Sequence, residues 1–175
     1  MQTPSHDSKR ILRPAHPWFI AISLFVALLL SMLPTRQWLL MPDWVMLTLC
    51  FWNVREGRST RLKSAFFLGI IMDVADGAAL GQHALAYVLA SYTASSISRR
   101  MLWLPLPQQT LLMLPIFLVF TALQIFIRLM AGESFPGWES FISPFVAALL
   151  WAPTSFLLLL PQYQPIERDE NRPIL

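Results

Sequence analysis

The chain has 175 residues, of which 55% are apolar and only 13% charged, with a net charge of +3. The charges cluster at both ends and at two internal points, which is the pattern of a polytopic membrane protein and excludes a soluble core of ordinary composition. The basic residues sit beside apolar runs, where a topology signal places them, so the positive charge gives no ground for a nucleic-acid partner. A lone Cys50 excludes an intrachain disulfide framework. His6, His16 and His83 are too scattered to suggest a metal set, and no cofactor motif is present.

Lys9, Arg10 and Arg13 precede the first apolar run. Ser31-Met32-Leu33-Pro34 is a poor cleavage site, so the run is expected to stay as a signal anchor behind a cytoplasmic basic tail, residues 1–17. Span 1 is expected at Trp18 to Leu33, ended by Pro34. Arg36 is the only charge before span 2, which runs from Trp38 to Trp52 or Val54. Pro42 and Asp43 lie near its start, where proline is tolerated and the helix dipole favours an aspartate. An outward-facing partner contact is the alternative role for Asp43. The loop Asn53 to Ser64 carries Arg55, Arg58, Arg61 and Lys63 against Glu56, which marks it as cytoplasmic.

Spans 3 and 4 are expected as a hairpin from Leu62 to Ser98, closed on the cytoplasmic side by Arg99 and Arg100. Only 35 residues separate Lys63 from Arg99. Two full spans need about 20 residues each. The turn, expected at Gly77 to Gln82, should therefore sit at or just below the outer interface and form a shallow dip. Pro105 and Pro107 interrupt the approach to span 5, placed at Gln108 to Arg128, where Arg128 can snorkel outward. The outer loop Met130 to Trp138 carries Glu133, with Glu139 just beyond it. Span 6 follows from Trp138 to Leu160, with Pro144 and Pro153 expected to kink it. Residues 161–175 form a polar cytoplasmic tail.

Eleven of the thirteen Lys and Arg residues fall on the cytoplasmic side of this arrangement, with only Arg36 and Arg128 outside. Five of seven tryptophans (Trp18, Trp38, Trp52, Trp103, Trp138) fall at span boundaries, as an aromatic belt requires. The expected fold is an all-α membrane protein: six transmembrane helices over residues 18–160, with both termini cytoplasmic.

Within that frame, Gly69, Asp73, Gly77 and Gly81 recur every fourth residue. On a helix they form one stripe with little side-chain bulk, suited to close approach of a partner backbone. Asp73 and Asp76 share a helix face and, being costly in lipid, should face protein or water. They can cap the turn around Gly77, contact a partner or carry a cation; Arg128 is a candidate outer-side partner for one of them. His83 reads as a turn or interface residue. There is no phosphate-cradling loop, no Gly-x-Ser-x-Gly elbow, and no serine whose context suits a site with His83 and Asp76.

Several of these residues resemble a known family. Pro42-Asp43-Trp44-Val45, then Gly69-x-x-x-Asp73-x-x-x-Gly77-x-x-x-Gly81 leading into His83-Ala84-Leu85-Ala86, resemble the bacterial rod shape-determining MreD family. The basic loop between them and Trp151-Ala152-Pro153 late in span 6 also fit, so the resemblance covers Trp18 to Leu160. It implies a non-enzymatic inner-membrane subunit of the cell-elongation machinery. The implied partners are MreC, cytoskeletal MreB, the SEDS glycosyltransferase RodA and its penicillin-binding transpeptidase. The implied fold is similar to the six-helix substrate-binding subunits of energy-coupling-factor transporters. A small-molecule-binding transporter subunit is thus the alternative, although span 1 offers only Ala21 and Ala27 as small apolar docking residues. The dip framed by Pro42, Asp43, Gly69, Asp73, Asp76, Gly77, Gly81 and His83 is the expected partner-binding face.

Overall fold

The computed structural model describes residues 15–33, 41–56 and 60–162. Residues 1–14 and 163–175 of the two tails, Arg36, Trp38 and Arg58 lie outside the described residues, as does the side chain of Arg61. The described chain is all-helical, with six α-helices: α1 (Pro17–Met32), α2 (Trp44–Glu56), α3 (Thr60–Asp76), α4 (Gln82–Trp103), α5 (Leu106–Met130) and α6 (Ile142–Leu159). A 3-10 turn, Trp138–Phe141, leads into α6.

The central element is α2, in which every residue from Val45 to Val54 is buried. It packs against α1, α4, α6 and α3, while α4 also contacts α3 and α5. An aromatic cluster ties these elements together. Trp52 meets Phe51 at 5.0 Å and Phe19 of α1 at 5.9 Å, both edge-on, and Trp151 of α6 lies between Phe51 and Phe117 of α5. The two buried indoles keep their N–H groups bonded, Trp52 to Ser23 Oγ (2.8 Å) and Trp151 to Gln109 Oε1 (3.3 Å).

Several boundaries differ from the expected spans. Span 2 was expected from Trp38, but α2 starts at Trp44 and has 13 residues. That gives a length of about 20 Å, short of a hydrocarbon core of about 30 Å. Because protein surrounds α2, its length need not match lipid. Pro42 and Asp43 consequently precede the helix instead of lying in its first turn. At the other end, α4 runs past Arg99 and Arg100 to Trp103, with Arg100 in its last turn, where a cation complements the dipole. Pro107 sits in the first turn of α5 and Pro144 in that of α6, where proline is tolerated. The prolines inside helices are Pro115 and Pro153.

α5 and the stretch Trp138–Gln162 are each 25 residues long and apolar enough to cross a membrane; α1 is apolar but shorter, at 16 residues.

Candidate functional site

The α3–α4 turn is built by one aspartate. Gly77, at φ +61°, ends α3 in a left-handed conformation, with its N–H on the Val74 carbonyl (3.3 Å) and the Ala78 N–H on the Asp73 carbonyl (2.9 Å). That bond pair is the Schellman arrangement. Gly81, φ +100°, stands just before α4 at its N-cap and has no side chain to cap the helix. The Asp73 carboxylate supplies the cap from the preceding helix. Its Oδ2 accepts the Gly81 N–H (2.8 Å) and its Oδ1 accepts the His83 N–H (2.7 Å). Asp73 is 1% exposed, so these bonds act in a low-dielectric setting beside the positive end of the α4 dipole.

His83, in the first turn of α4, lies between two carboxylates. Its Nδ1 is 2.9 Å from Asp73 Oδ1 and its Nε2 is 3.6 Å from Asp76 Oδ2. Its ring stands edge-on to Tyr87 one turn later. Tyr87 donates its hydroxyl to Asp43 Oδ1 (2.9 Å), the same oxygen that accepts the Met46 N–H (2.9 Å) and caps α2. The starts of α2 and α4 and the end of α3 are therefore joined by side-chain polar contacts.

Asp43, Asp76 and His83 border a cavity of about 410 Å³ at one end of the bundle. Its wall comes from the end of α1, the approach to α2, the α3–α4 turn, the end of α5 and the stretch leading into α6. Pro42, Asp43, Asp76, His83 and Arg128 line it. Asp73 is not part of the wall; it stands behind His83 and holds it. Gly69, Gly77 and Gly81 are not part of the wall either. The helical stripe expected of these glycines is broken, because α3 stops at Asp76 and the last two glycines turn the chain. At Gly77 and Gly81 a Cβ would meet nothing within 4 Å, so positive φ, not close approach, calls for glycine. Gly69 does serve close approach, within the hairpin itself. A Cβ there would fall within 2.9 Å of Ala84 Cα and N and the His83 carbonyl carbon. Gly81 instead borders a shallow apolar groove on the outside of the bundle with Phe66, Leu85 and Ile127.

Arg128 is not the aspartate partner expected of it. Its Nε lies 2.8 Å from Glu133 Oε2, five residues on, because α5 ends at Met130 and the chain folds back. Arg55, Lys63, Arg99 and Arg100 belong to helix ends away from the cavity. Sequence reasoning missed Tyr87 and Gln124. Tyr87 lies four residues after His83 and Gln124 four before Arg128, so each shares a face with a residue already singled out.

Among the described residues the wall offers carboxylates, amides, hydroxyls and the Arg128 guanidinium, a set suited to hydrogen bonding. His83 Nε2 faces Asp76, and among the described residues no serine hydroxyl is bonded to it.

The profile of the family described as rod shape-determining protein MreD matches residues 12–160. The chain belongs to the MreD family. A curated relative, rod shape-determining protein MreD of Haemophilus influenzae, is 28% identical over 145 residues, covering 81% of this chain and 89% of its own length. No solved structure matches the chain significantly. Family membership supports a rod-shape-determining role, and MreD is not known as an enzyme family.

Proposed function

We propose that this chain is a non-enzymatic, six-span scaffold of the bacterial inner membrane. It docks an MreC-type protein and, through it or directly, MreB, a RodA-type glycosyltransferase and its penicillin-binding transpeptidase. Both termini face the cytoplasm, and the cavity end faces the opposite side. The partner segment docks at the dip around Asp43, Asp76 and His83, with the Asp73 turn as its rigid edge.

The observation that carries this reading is the inverted exposure of the bundle. Val74, Leu111 and Leu149 are 68%, 71% and 73% exposed, while Asp73, Asn53, Gln82 and His83 are buried. A surface that apolar requires lipid or protein cover, and polar groups within a bilayer turn inward. The concentration of Arg55, Lys63, Arg99 and Arg100 at the far helix ends supports the orientation. The polar cavity also favours the second reading, a small-molecule-binding transporter subunit, since 410 Å³ lies within the range of ligand sites.

Gentle detergent extraction of the tagged chain from its own host, followed by mass spectrometry, separates the two. Recovery of a single-span coiled-coil protein with cell-wall synthases is expected. Recovery of paired ATPase subunits with a transmembrane coupling protein would overturn the scaffold reading.

A further inference from the structure

The two helices on one side of the cavity each carry a proline in their interior, Pro115 in α5 and Pro153 in α6. An interior proline removes one backbone bond and crowds the carbonyl four residues before it, here those of Leu111 and Leu149. The two helices pack against each other, and their prolines stand at the same level. Phe117 and Trp151, each two residues from its proline, meet with ring centroids 6.4 Å apart. The α5–α6 hairpin is therefore weakened in both legs at one height.

The half of the hairpin away from the cavity is fastened to the bundle. Gln109 donates to the Leu104 carbonyl (2.8 Å) and accepts the Trp151 indole N–H (3.3 Å). The Trp151 ring also lies 6.2 Å from that of Phe51 in α2. The cavity-side half, residues 118–150, is held differently. Its ion pair, Arg128 with Glu133, is internal. Among the described residues no side-chain hydrogen bond or ion pair joins this half to α1–α4. Its buried contacts are apolar, Phe120 and Ile125 among them, and apolar contact is non-directional. Every cavity-lining residue that the hairpin contributes, from Thr121 to Ser143, belongs to this half.

Two buried amides on opposite walls of the cavity are left unpaired. The Gln124 amide of α5 lies close enough to the Asp43 carboxylate to act on it, yet its nitrogen completes no hydrogen bond. On the α4 side the carbonyl oxygen of Gln82, a residue 5% exposed, has no partner either. Buried polar groups are normally bonded, so an approach of the hairpin that satisfies the Gln124 donor is favoured.

We propose that residues 118–150 move as one strap about Pro115 and Pro153, widening and narrowing the cavity against the start of α2 and the α3–α4 turn. In the narrowed state the Gln124 amide donates to Asp43, which already accepts the Met46 N–H and the Tyr87 hydroxyl. In the widened state that bond is open and the cavity admits its occupant. The strap serves a partner segment and a small molecule alike, so it does not depend on which of them docks.

Pulsed spin-resonance distances on the purified full chain in lipid nanodiscs test this. One label pair, at Val74 of α3 and Ile142 of α6, spans the cavity end. A second pair, at Leu102 and Leu160, spans the far end, and all four positions are exposed. Cys50 is buried and stays unlabelled. The expected result is a broad or two-peaked distribution at the cavity end and a single narrow peak at the far end. Pro115→Ala/Pro153→Ala should reduce the cavity end to one narrow peak, and Gln124→Leu should shift population toward the longer distance. A cavity-end distribution as narrow as the far-end one, or a broad one that the proline variant leaves unchanged, overturns the proposal. Should the proline variant fail to fold, Gln124→Leu carries the test, and an unchanged distribution in it overturns the strap. The measurement needs no partner, so its failure leaves the scaffold reading standing, and a failed co-purification leaves the strap standing.

Discussion

Replacing Asp73 should unfasten the α3–α4 turn before it affects anything else. Its carboxylate serves the Gly81 N–H at 2.8 Å, the His83 N–H at 2.7 Å and the His83 ring at 2.9 Å, all out of water. Hydrogen bonds to a charged group each contribute about 1.5–3 kcal/mol, and orphaned buried donors cost about 1–3 kcal/mol. The three bonds share one carboxylate and are not additive, so Asp73→Ala is expected to cost roughly 3–5 kcal/mol. Asp73→Asn keeps one acceptor oxygen for His83 but turns an NH2 group toward the Gly81 N–H, and roughly 1–3 kcal/mol is expected. Reversible unfolding in mixed micelles, together with amide exchange at residues 81–84, measures both effects. Loss of exchange protection there should precede loss elsewhere in the bundle. An Asp73→Ala protein within about 0.5 kcal/mol of wild type, or a destabilised one whose residue 81 and 83 amides stay protected, would refute the capping argument.

Gly69→Ala should destabilise more than Gly77→Ala, although the change is the same. The first places a methyl on the backbone of Ala84 and costs about 1–3 kcal/mol or more. The second meets no atom and costs only about 1 kcal/mol for the left-handed conformation; equal melting shifts would count against the distinction. Asp43→Asn and Tyr87→Phe should be non-additive in a double-mutant cycle, with a coupling of about 0.5–3 kcal/mol from the 2.9 Å bond between them. Trp52→Phe should cost at least about 1 kcal/mol through the lost bond to Ser23, measured by the same unfolding assay. Arg128→Gln should resemble Glu133→Gln in rod-shape complementation, not Asp73→Asn; since that pair is partly exposed, its stability cost should stay below about 1 kcal/mol.

The helix order was legible because charge and proline mark the ends of apolar runs. Arg55 closes α2, Pro105 precedes α5, and Gly77 to Gln82 contains the turn between α3 and α4. The short reach between Lys63 and Arg99 also pointed to a tight hairpin, although α4 overshoots Arg99 and Arg100 to end at Trp103. Of the candidate site, Pro42, Asp43, Asp76, His83 and Arg128 do come together at one cavity. They are aligned because alternate helix ends of an up-and-down bundle meet at the same level. Tyr87 and Gln124 were missed for a physical reason: a lone polar residue in an apolar run declares its cost but not its partner, and only the tertiary fold places Asp43 opposite Tyr87.

The glycine spacing shows how one pattern can admit two geometries. A four-residue repeat of Gly69, Asp73, Gly77 and Gly81 is a stripe if the helix continues. If it stops, the same residues become a crossing point, a cap and two turn positions. Nothing in apolar periodicity decides between them. The decision comes from hydrogen bonds: Gly77 can enter φ +61° without penalty, and once it does, Asp73 is within reach of both Gly81 and His83. A continuous helix would leave that carboxylate facing lipid at a cost of about 2.5 kcal/mol or more, whereas the turn gives it three donors. The aspartate therefore selects the hairpin, and the hairpin in turn brings His83 and Asp76 to the wall of the cavity.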